Sequence, residues 1–277
     1  MSPAASPFTD PSFIRAGLYA SADRLARRSG ALHRAKVSGR HAGQVIADLV
    51  ACTASRDARV ADIGCGRGTT ARILTQRLPE ARVVAIDLSA AMLAAARDQL
   101  TKTAAGLVRA DFCHLPFSTG SCDVMVAAFC LYHSASPQEV AGEIARCLRP
   151  GGTAILVTKS ADSYRELDHL VAAAGLDPEA VSRPSLYQAA HSGNLATLAA
   201  THLDVQRIIH DTHLFVFRDL ACAAEYLATS PKYKLPACLA ADPAAMAAAL
   251  RARVPDRPVT TTSTVTYVTA TRRTLTP

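Results

Sequence analysis

The chain has 277 residues, of which 49% are hydrophobic and 19% charged, and its formal net charge is +7. This length can bury a sizeable core, and the apolar balance excludes a disordered chain. Eight cysteines are scattered without a CxxC pair, so neither a disulfide framework nor a zinc site is indicated, and no metal is expected.

The opening residues show no basic stretch leading into an apolar run, and the longest apolar stretch, Val124 to Tyr132, is too short to span a bilayer. A cytoplasmic protein that does not enter the membrane is the expectation. Pro3, Pro7 and Pro11 make the first dozen residues an extended lead. From Ser21 the pattern turns helical, with Leu25, Leu32 and Val37 among long polar side chains, and Gly30 and Gly39 are its predicted breaks. Arg15, Arg24, Arg27, Arg28, Arg34, Lys36 and Arg40 crowd this segment. They read as a solvated helix face or as a patch for an anionic partner, such as nucleic acid or a phosphorylated substrate. No aromatic residue interleaves them, which argues against a base-stacking platform.

His41 to Cys52 is a predicted amphipathic helix, after which strands and helices alternate. Strands are predicted at Arg59–Ile63, Arg82–Ile86, Gly106–Ala110, Cys122–Ala128 and Thr153–Lys159, with helices at Thr70–Leu78, Ala90–Leu100 and Pro137–Leu148. Arg149-Pro150-Gly151-Gly152 is a strong helix stop. Such alternation implies a parallel sheet wound right-handedly, a doubly wound α/β fold. Further on, helices are predicted at Asp162–Ala174, Leu195–Ala200, Leu220–Ala228 and Pro243–Val254, and two long strands at Leu203–Phe217 and Val259–Thr271. No internal repeat or linker divides the chain. One compact unit is expected, with lid helices in residues 1–40, a binding core in 41–160 and a completion of the sheet in 161–277.

The chemistry gathers where the strands end. Asp62-Ile63-Gly64-Cys65-Gly66-Arg67-Gly68 leaves the first core strand, at the carboxyl edge where doubly wound sheets bind ligands. Glycines there let the backbone approach a ligand closely. Their GxGxG spacing differs from the GxGxxG of dinucleotide sites. Asp62, just before the turn, suits the ammonium of an amino-acid moiety and would oppose a pyrophosphate, which favours S-adenosylmethionine over NAD. Asp87 ends the next strand, placed to accept hydrogen bonds from both ribose hydroxyls. Asp111 can accept from an adenine amine, with Phe112 beside it.

DIGCGRGTT, AIDLSAAML, ADFCHLPFSTGSCDVMVAAFCLYH and RCLRPGG, in this order over roughly residues 58 to 160, resemble the class I S-adenosylmethionine-dependent methyltransferases of the UbiE/small-molecule type. The resemblance implies a Rossmann-like sheet, mostly parallel with an antiparallel C-terminal strand, and helical lid elements. It implies that Asp62, Gly64 and Gly66 surround the methionine moiety and that Asp87 holds the ribose; Cys65 lies near the expected cofactor, as a binding residue or as a small buried hydrophobe. Leu88, Asp111 and Phe112 would frame the adenine, Ala128 and Phe129 would pass near the sulfonium, and Met92 is a further cofactor-binding candidate. S-adenosylmethionine is then the methyl donor and S-adenosylhomocysteine the product. More weakly, the segment HSGNLATLAATHLDVQRIIHDTHLFVFRDLACAAEYLATSP resembles the C-terminal part of such enzymes, with helices covering the substrate.

Methyl transfer is an in-line displacement that needs alignment, exclusion of water and, where the acceptor demands it, removal of a proton. His133 is the candidate base, with a structural or substrate-lining histidine as the alternative. Family members acting on sugars and other small hydroxyl compounds often carry LHH here, and Tyr132 replaces the first of those histidines. Tyr132 is therefore a candidate pocket wall, and Tyr187, Tyr226 and Tyr233 are further substrate-wall candidates. Tyr19 is either part of a lid over the cofactor or a packing contact. His210 and His213 lie three apart on one predicted strand, so at most one faces the pocket. The expected partner is a small molecule, with a specialised metabolite as one class. Nucleic acid is disfavoured, since the loop after Ala128 lacks an Asp/Asn-Pro-Pro-Tyr sequence and a Pro-Cys nucleophile. The alternatives are a nucleic-acid methyltransferase and a noncatalytic cofactor-binding protein. The acceptor atom and the oligomeric state are left open.

Overall fold

The computed structural model describes residues 7–14, 18–19 and 21–274; Pro3 and Arg15 lie outside the described residues. After a 3-10 turn at Pro7–Thr9 and a helical turn α1 (Pro11–Phe13), helix α2 runs over Ala22–Ala35. Ser21 caps it by accepting from the Asp23 N–H, which satisfies one of the donors that every helix start leaves open. Gly30 does not break this helix. The buried face formed by Arg28, Ala31 and Ala35 continues through it, and a glycine in a helix interior costs only about 1 kcal/mol against alanine. The chain then forms a short strand the sequence did not announce, β1 (Lys36–Ser38), before helix α3 (Ala42–Thr53).

The alternating core follows as β2 (Arg59–Ile63), α4 (Thr69–Arg77), β3 (Arg82–Asp87), α5 (Ala90–Leu100), β4 (Gly106–Arg109), β5 (Cys122–Ala128), α6 (Pro137–Cys147) and β6 (Leu148–Lys159). Beyond it come α7 (Arg165–Ala173), α8 (Leu195–Ala200), β7 (Leu203–Phe217), α9 (Leu220–Leu227), α10 (Pro243–Arg251) and β8 (Val259–Arg272). The strands form one sheet in the order β1-β7-β8-β6-β5-β2-β3-β4. Strands β4, β3, β2, β5 and β6 are mutually parallel, while β8 runs antiparallel between β6 and β7, and β1 pairs antiparallel with the β7 edge. The strand order reverses at β2 and β5, so a crevice opens at their carboxyl ends.

Parallel strands covered on both faces must be apolar throughout. Accordingly Val60 to Ile63 and Val124 to Ala127 are buried without alternation. One face of the sheet packs on α3, α4 and α5 through Ile46, Leu74 and Ala96, and the other on α6 and α8 through Ile144 and Leu195. A third apolar cluster lies at the sheet's far side, where α2, α7, α9 and α10 surround Phe215 and Phe217. The Arg149-Pro150-Gly151-Gly152 stop does end α6, but the strand starts earlier than Thr153. Cys122 pairs with Leu148 and Val124 with Thr153, so the intervening residues loop out of register, with Gly151 at φ +71°.

Candidate active site

Three left-handed glycines shape the turn after β2: Gly64 at φ +63°, Gly66 at +54° and Gly68 at +76°, the last capping α4. A Cβ on Gly64 would stand 2.5 Å from Cys130 Cβ, so both the backbone angle and the close approach demand glycine. At the tip of β3, Asp87 is fixed by two backbone donors. Gly66 N–H donates to Oδ2 at 2.8 Å and Ser89 N–H to Oδ1 at 2.8 Å. Burial raises the Asp87 pKa against those same hydrogen bonds.

Asp62 lies beneath the turn, 1% exposed, and its Oδ2 has no partner. Burial is the main cause that lifts its pKa from 3.8 to about 7; the Ala71 N–H opposes the rise and neighbouring Asp87 adds to it. A carboxyl with one orphaned, buried oxygen is poised to accept a cation or donor. At the end of β4, Cys113 N–H donates to Asp111 Oδ1 at 2.9 Å, with Phe112 alongside. After β5, Phe129 takes a left-handed φ of +58°, and the turn Leu131–His133 follows.

These elements open onto one cavity of about 630 Å³. Tyr19, Gly64, Cys65, Gly66, Asp87, Leu88, Met92, Asp111, Phe112, Ala128 and Phe129 all line it, as do Tyr132, His133, Tyr187, Tyr226 and Tyr233. Asp62 alone of the sequence-predicted positions is not on its wall; its carboxyl stands behind the glycine turn. His213 faces the cavity while His210 points away to bond Thr266, as strand alternation requires.

His133 is buried and has both ring nitrogens engaged. Nδ1 meets the Phe8 carbonyl at 3.0 Å and Nε2 meets the Tyr19 hydroxyl at 2.8 Å. A carbonyl only accepts, so Nδ1 carries the proton and Nε2 accepts from the Tyr19 O–H. Burial holds the ring neutral, with its pKa pushed down to about 4. Tyr19 is tied again through its carbonyl, which accepts from Ser89 Oγ at 3.1 Å. The N-terminal lead is thereby strapped to the tips of β3 and β5.

The remaining wall was not foreseen. Arg28 of the basic cluster is 8% exposed and faces the cavity, so the solvated reading fails for this residue. Lys159, at the carboxyl end of β6, donates to the Tyr164 hydroxyl at 2.6 Å. Lys232 is ion-paired with buried Asp168, which also accepts from Tyr233 Oη at 3.0 Å. Arg28 had a signal in its spacing, since Leu25, Arg28, Leu32 and Ala35 fall on one helical face. Lys159 had one in its place at the carboxyl tip of an apolar strand. Among the described residues no group of three His, Cys, Asp or Glu gathers as a metal site, and no helix is long and apolar enough to cross a membrane.

A family model described as a methyltransferase domain matches residues 61–156. The malonyl-[acyl-carrier protein] O-methyltransferase of Laribacter hongkongensis is 32% identical over 236 residues, which span 80% of this chain and 76% of that protein. Among solved structures, YcgJ from Bacillus subtilis superposes with a TM-score of 0.56 at 17% identity, covering 84% of this chain and 98% of that one. Geranyl diphosphate C-methyltransferase from Streptomyces coelicolor A3(2), solved with S-adenosyl-L-homocysteine, gives 0.50 at 16% identity over 83% and 76% of the two chains. The glycine turn, the acid at the tip of the next strand and this relationship agree: the chain belongs to the class I S-adenosylmethionine-dependent methyltransferases, with S-adenosylmethionine as methyl donor and S-adenosylhomocysteine as product.

Proposed function

We propose that the chain transfers its methyl group to a small-molecule acceptor, a specialised metabolite among the candidates, enclosed in the tyrosine-lined end of the cavity. One observation carries this reading. The glycine turn and Asp87 share a single cavity with Tyr132, Tyr187, Tyr226 and Tyr233, roofed by α2 and the strapped N-terminal lead. A cavity of about 630 Å³ suits a cofactor and a compact acceptor together. On this reading residues 1–40 act as the lid, 41–160 as the cofactor-binding core and 161–277 as the substrate cover. All eight cysteines are free thiols, which supports work in the reducing cytoplasm.

The residues present fit the cofactor. Gly64, Cys65 and Gly66, with the orphaned oxygen of Asp62 behind them, would hold the methionine end. Asp87 has free lone pairs for the ribose, and Leu88, Met92, Asp111 and Phe112 would frame the adenine. When bound, S-adenosylmethionine supplies a methyl carbon already activated by its sulfonium. The protein's own part is to align and to exclude water. His133 does this by holding Tyr19 and Phe8 in place over the cavity, so we assign it a positioning role rather than that of a base. Tyr132, stacked edge-on against Tyr187 at 4.9 Å between ring centroids, forms the apolar wall behind the acceptor.

The test is to titrate the purified protein with S-adenosylhomocysteine by calorimetry, then to follow labelled methyl from S-adenosylmethionine into a low-molecular-weight cell extract. The Laribacter relative's name makes oxygen acceptors the first class to examine. Binding without any transfer to small molecules would leave a noncatalytic cofactor-binding protein in place of this reading.

A further inference from the structure

The interior cations of this chain are mostly matched with acids. Lys232 is paired with Asp168, and Arg183 with Asp177 at 2.8 Å. Four cations on the cavity wall, Arg28, Lys36, Arg67 and Lys159, form no salt bridge among the described residues; Arg28 is the buried one of the four, and Lys159 is half-buried among aromatic rings. The Arg28 guanidinium is 8% exposed, and its hydrogen bond goes to the Thr229 carbonyl at a long 3.5 Å. The Lys159 ammonium bonds the Tyr164 hydroxyl and stands over three aromatic rings, Tyr164 at 4.9 Å, Phe129 at 5.6 Å and Tyr187 at 5.8 Å. Burying a charge without a counter-ion is strongly unfavourable, so a retained instance points to an absent anion.

The backbone agrees. Phe129 and Tyr164, which present their rings to Lys159, both adopt left-handed φ, +58° and +67°, though neither is glycine. Such strain persists where the surroundings impose it, and it concentrates at ligand sites. Both positive charges also oppose the effect of burial on the Tyr187 hydroxyl, Lys159 more than Arg28. The acids on the same wall are Asp87 and Asp111 at the cofactor end, Glu139 on α6, and Asp168, which is already neutralised by Lys232.

We propose that Arg28 and Lys159 form an anion receptor in the acceptor end of the cavity, so that the acceptor is a small carboxylate and the product its methyl ester. This rests on the small-molecule reading above. A carboxylate oxygen donates its lone pair to form the O–CH3 bond as the S–CH3 pair returns to sulfur. The charged pair becomes a neutral ester and a neutral thioether, and no proton is released. No base is needed, which agrees with a histidine whose two nitrogens are both occupied. The anion also separates the ammonium from the sulfonium, two positive charges that would otherwise face each other in a low dielectric.

Two measurements test it. In the first, label transferred from S-adenosylmethionine into the low-molecular-weight extract is treated with mild alkali, which frees methyl esters as volatile methanol and leaves ethers, N-methyl and C-methyl products intact. Volatile label is expected. Alkali-stable label sinks the carboxylate and leaves the small-molecule reading standing, whereas no label in small molecules sinks both. In the second, straight-chain mono- and dicarboxylic acids and their amides are titrated into the S-adenosylhomocysteine complex. At least one acid binds while its amide does not, and Arg28→Met or Lys159→Met each weakens that acid by about thirtyfold or more. Arg28→Lys retains part of the affinity, and cofactor binding stays within about twofold in all three variants. Acids that bind no better than amides overturn the proposal. So does a collapse of cofactor affinity in Arg28→Lys, which would assign the guanidinium to the methionine carboxylate.

Discussion

Binding of the cofactor and burial act on the Asp62 proton in opposite directions. In the empty protein burial raises this carboxyl to about 7, and Oδ2 has no partner. It therefore holds about 0.9 of a proton at pH 6 and about 0.1 at pH 8. An α-ammonium settling against it favours the ionised form and expels that proton. S-adenosylhomocysteine should then release nearly one proton at pH 6, counted by calorimetry in two buffers of different ionisation heat. Affinity should fall about tenfold, or about 1.4 kcal/mol, for each unit of pH below about 7. Asp62→Asn removes both effects. It should also stabilise the empty protein in mild alkali. With its folded pKa above the unfolded one, Asp62 contributes stability below pH 3.8 that is lost as pH rises through about 7. The loss reaches about 4 kcal/mol at most by pH 8, readable as a denaturation midpoint. Cofactor binding at pH 6 without proton exchange would show that the ammonium sits elsewhere and that Asp62 only braces the turn.

Asp87→Ala should weaken S-adenosylhomocysteine by about 2–3 kcal/mol, as two charge-assisted hydrogen bonds disappear; unchanged affinity would mean that the ribose is held by another group. His133→Ala should lower cofactor affinity and turnover together and speed proteolysis of the N-terminal lead, because it releases Tyr19 and Phe8 at once. A loss confined to turnover would restore the imidazole as a base. His133, buried neutral with its pKa lowered to about 4, also makes the fold acid-labile: stability falls as pH drops from about 6.5 towards 4, and His133→Gln should flatten that part of the pH–stability curve. Gly64→Ala should destabilise by about 2 kcal/mol or more, from left-handed strain and the clash with Cys130, read as a lowered Tm.

The elements were most legible where a local period matched the tertiary environment. Leu203–Phe217 emerges with both ends correct because its alternation and its turns agree. Gly30 misleads because local propensity favours a break, whereas the buried face of α2 rests on α9 and continues the helix. Lys36–Ser38 is too short to carry a pattern; only the β7 edge makes it a strand. In the site, the glycine turn and Asp87 are local in sequence and could be read. The partners of His133 could not, and Arg28 was legible only through its spacing with Leu25, Leu32 and Ala35, since charge on a helix otherwise looks solvated until another helix covers it. The Phe8 carbonyl that fixes the imidazole lies 125 residues away in the chain.

Helix α2 carries Arg28 on the face it lays against α9, and β1 moors its far end to the sheet. On the proposed reading of residues 1–40 as a lid, the group that would sense the guest's charge rides on the door itself. If that lid closes over the guest, a molecule of the wrong polarity would leave the guanidinium stranded, and closure would become a second inspection of whatever has entered. Discrimination of this kind would show in how long the chamber stays sealed, and it would survive even when a wrong guest fits by shape.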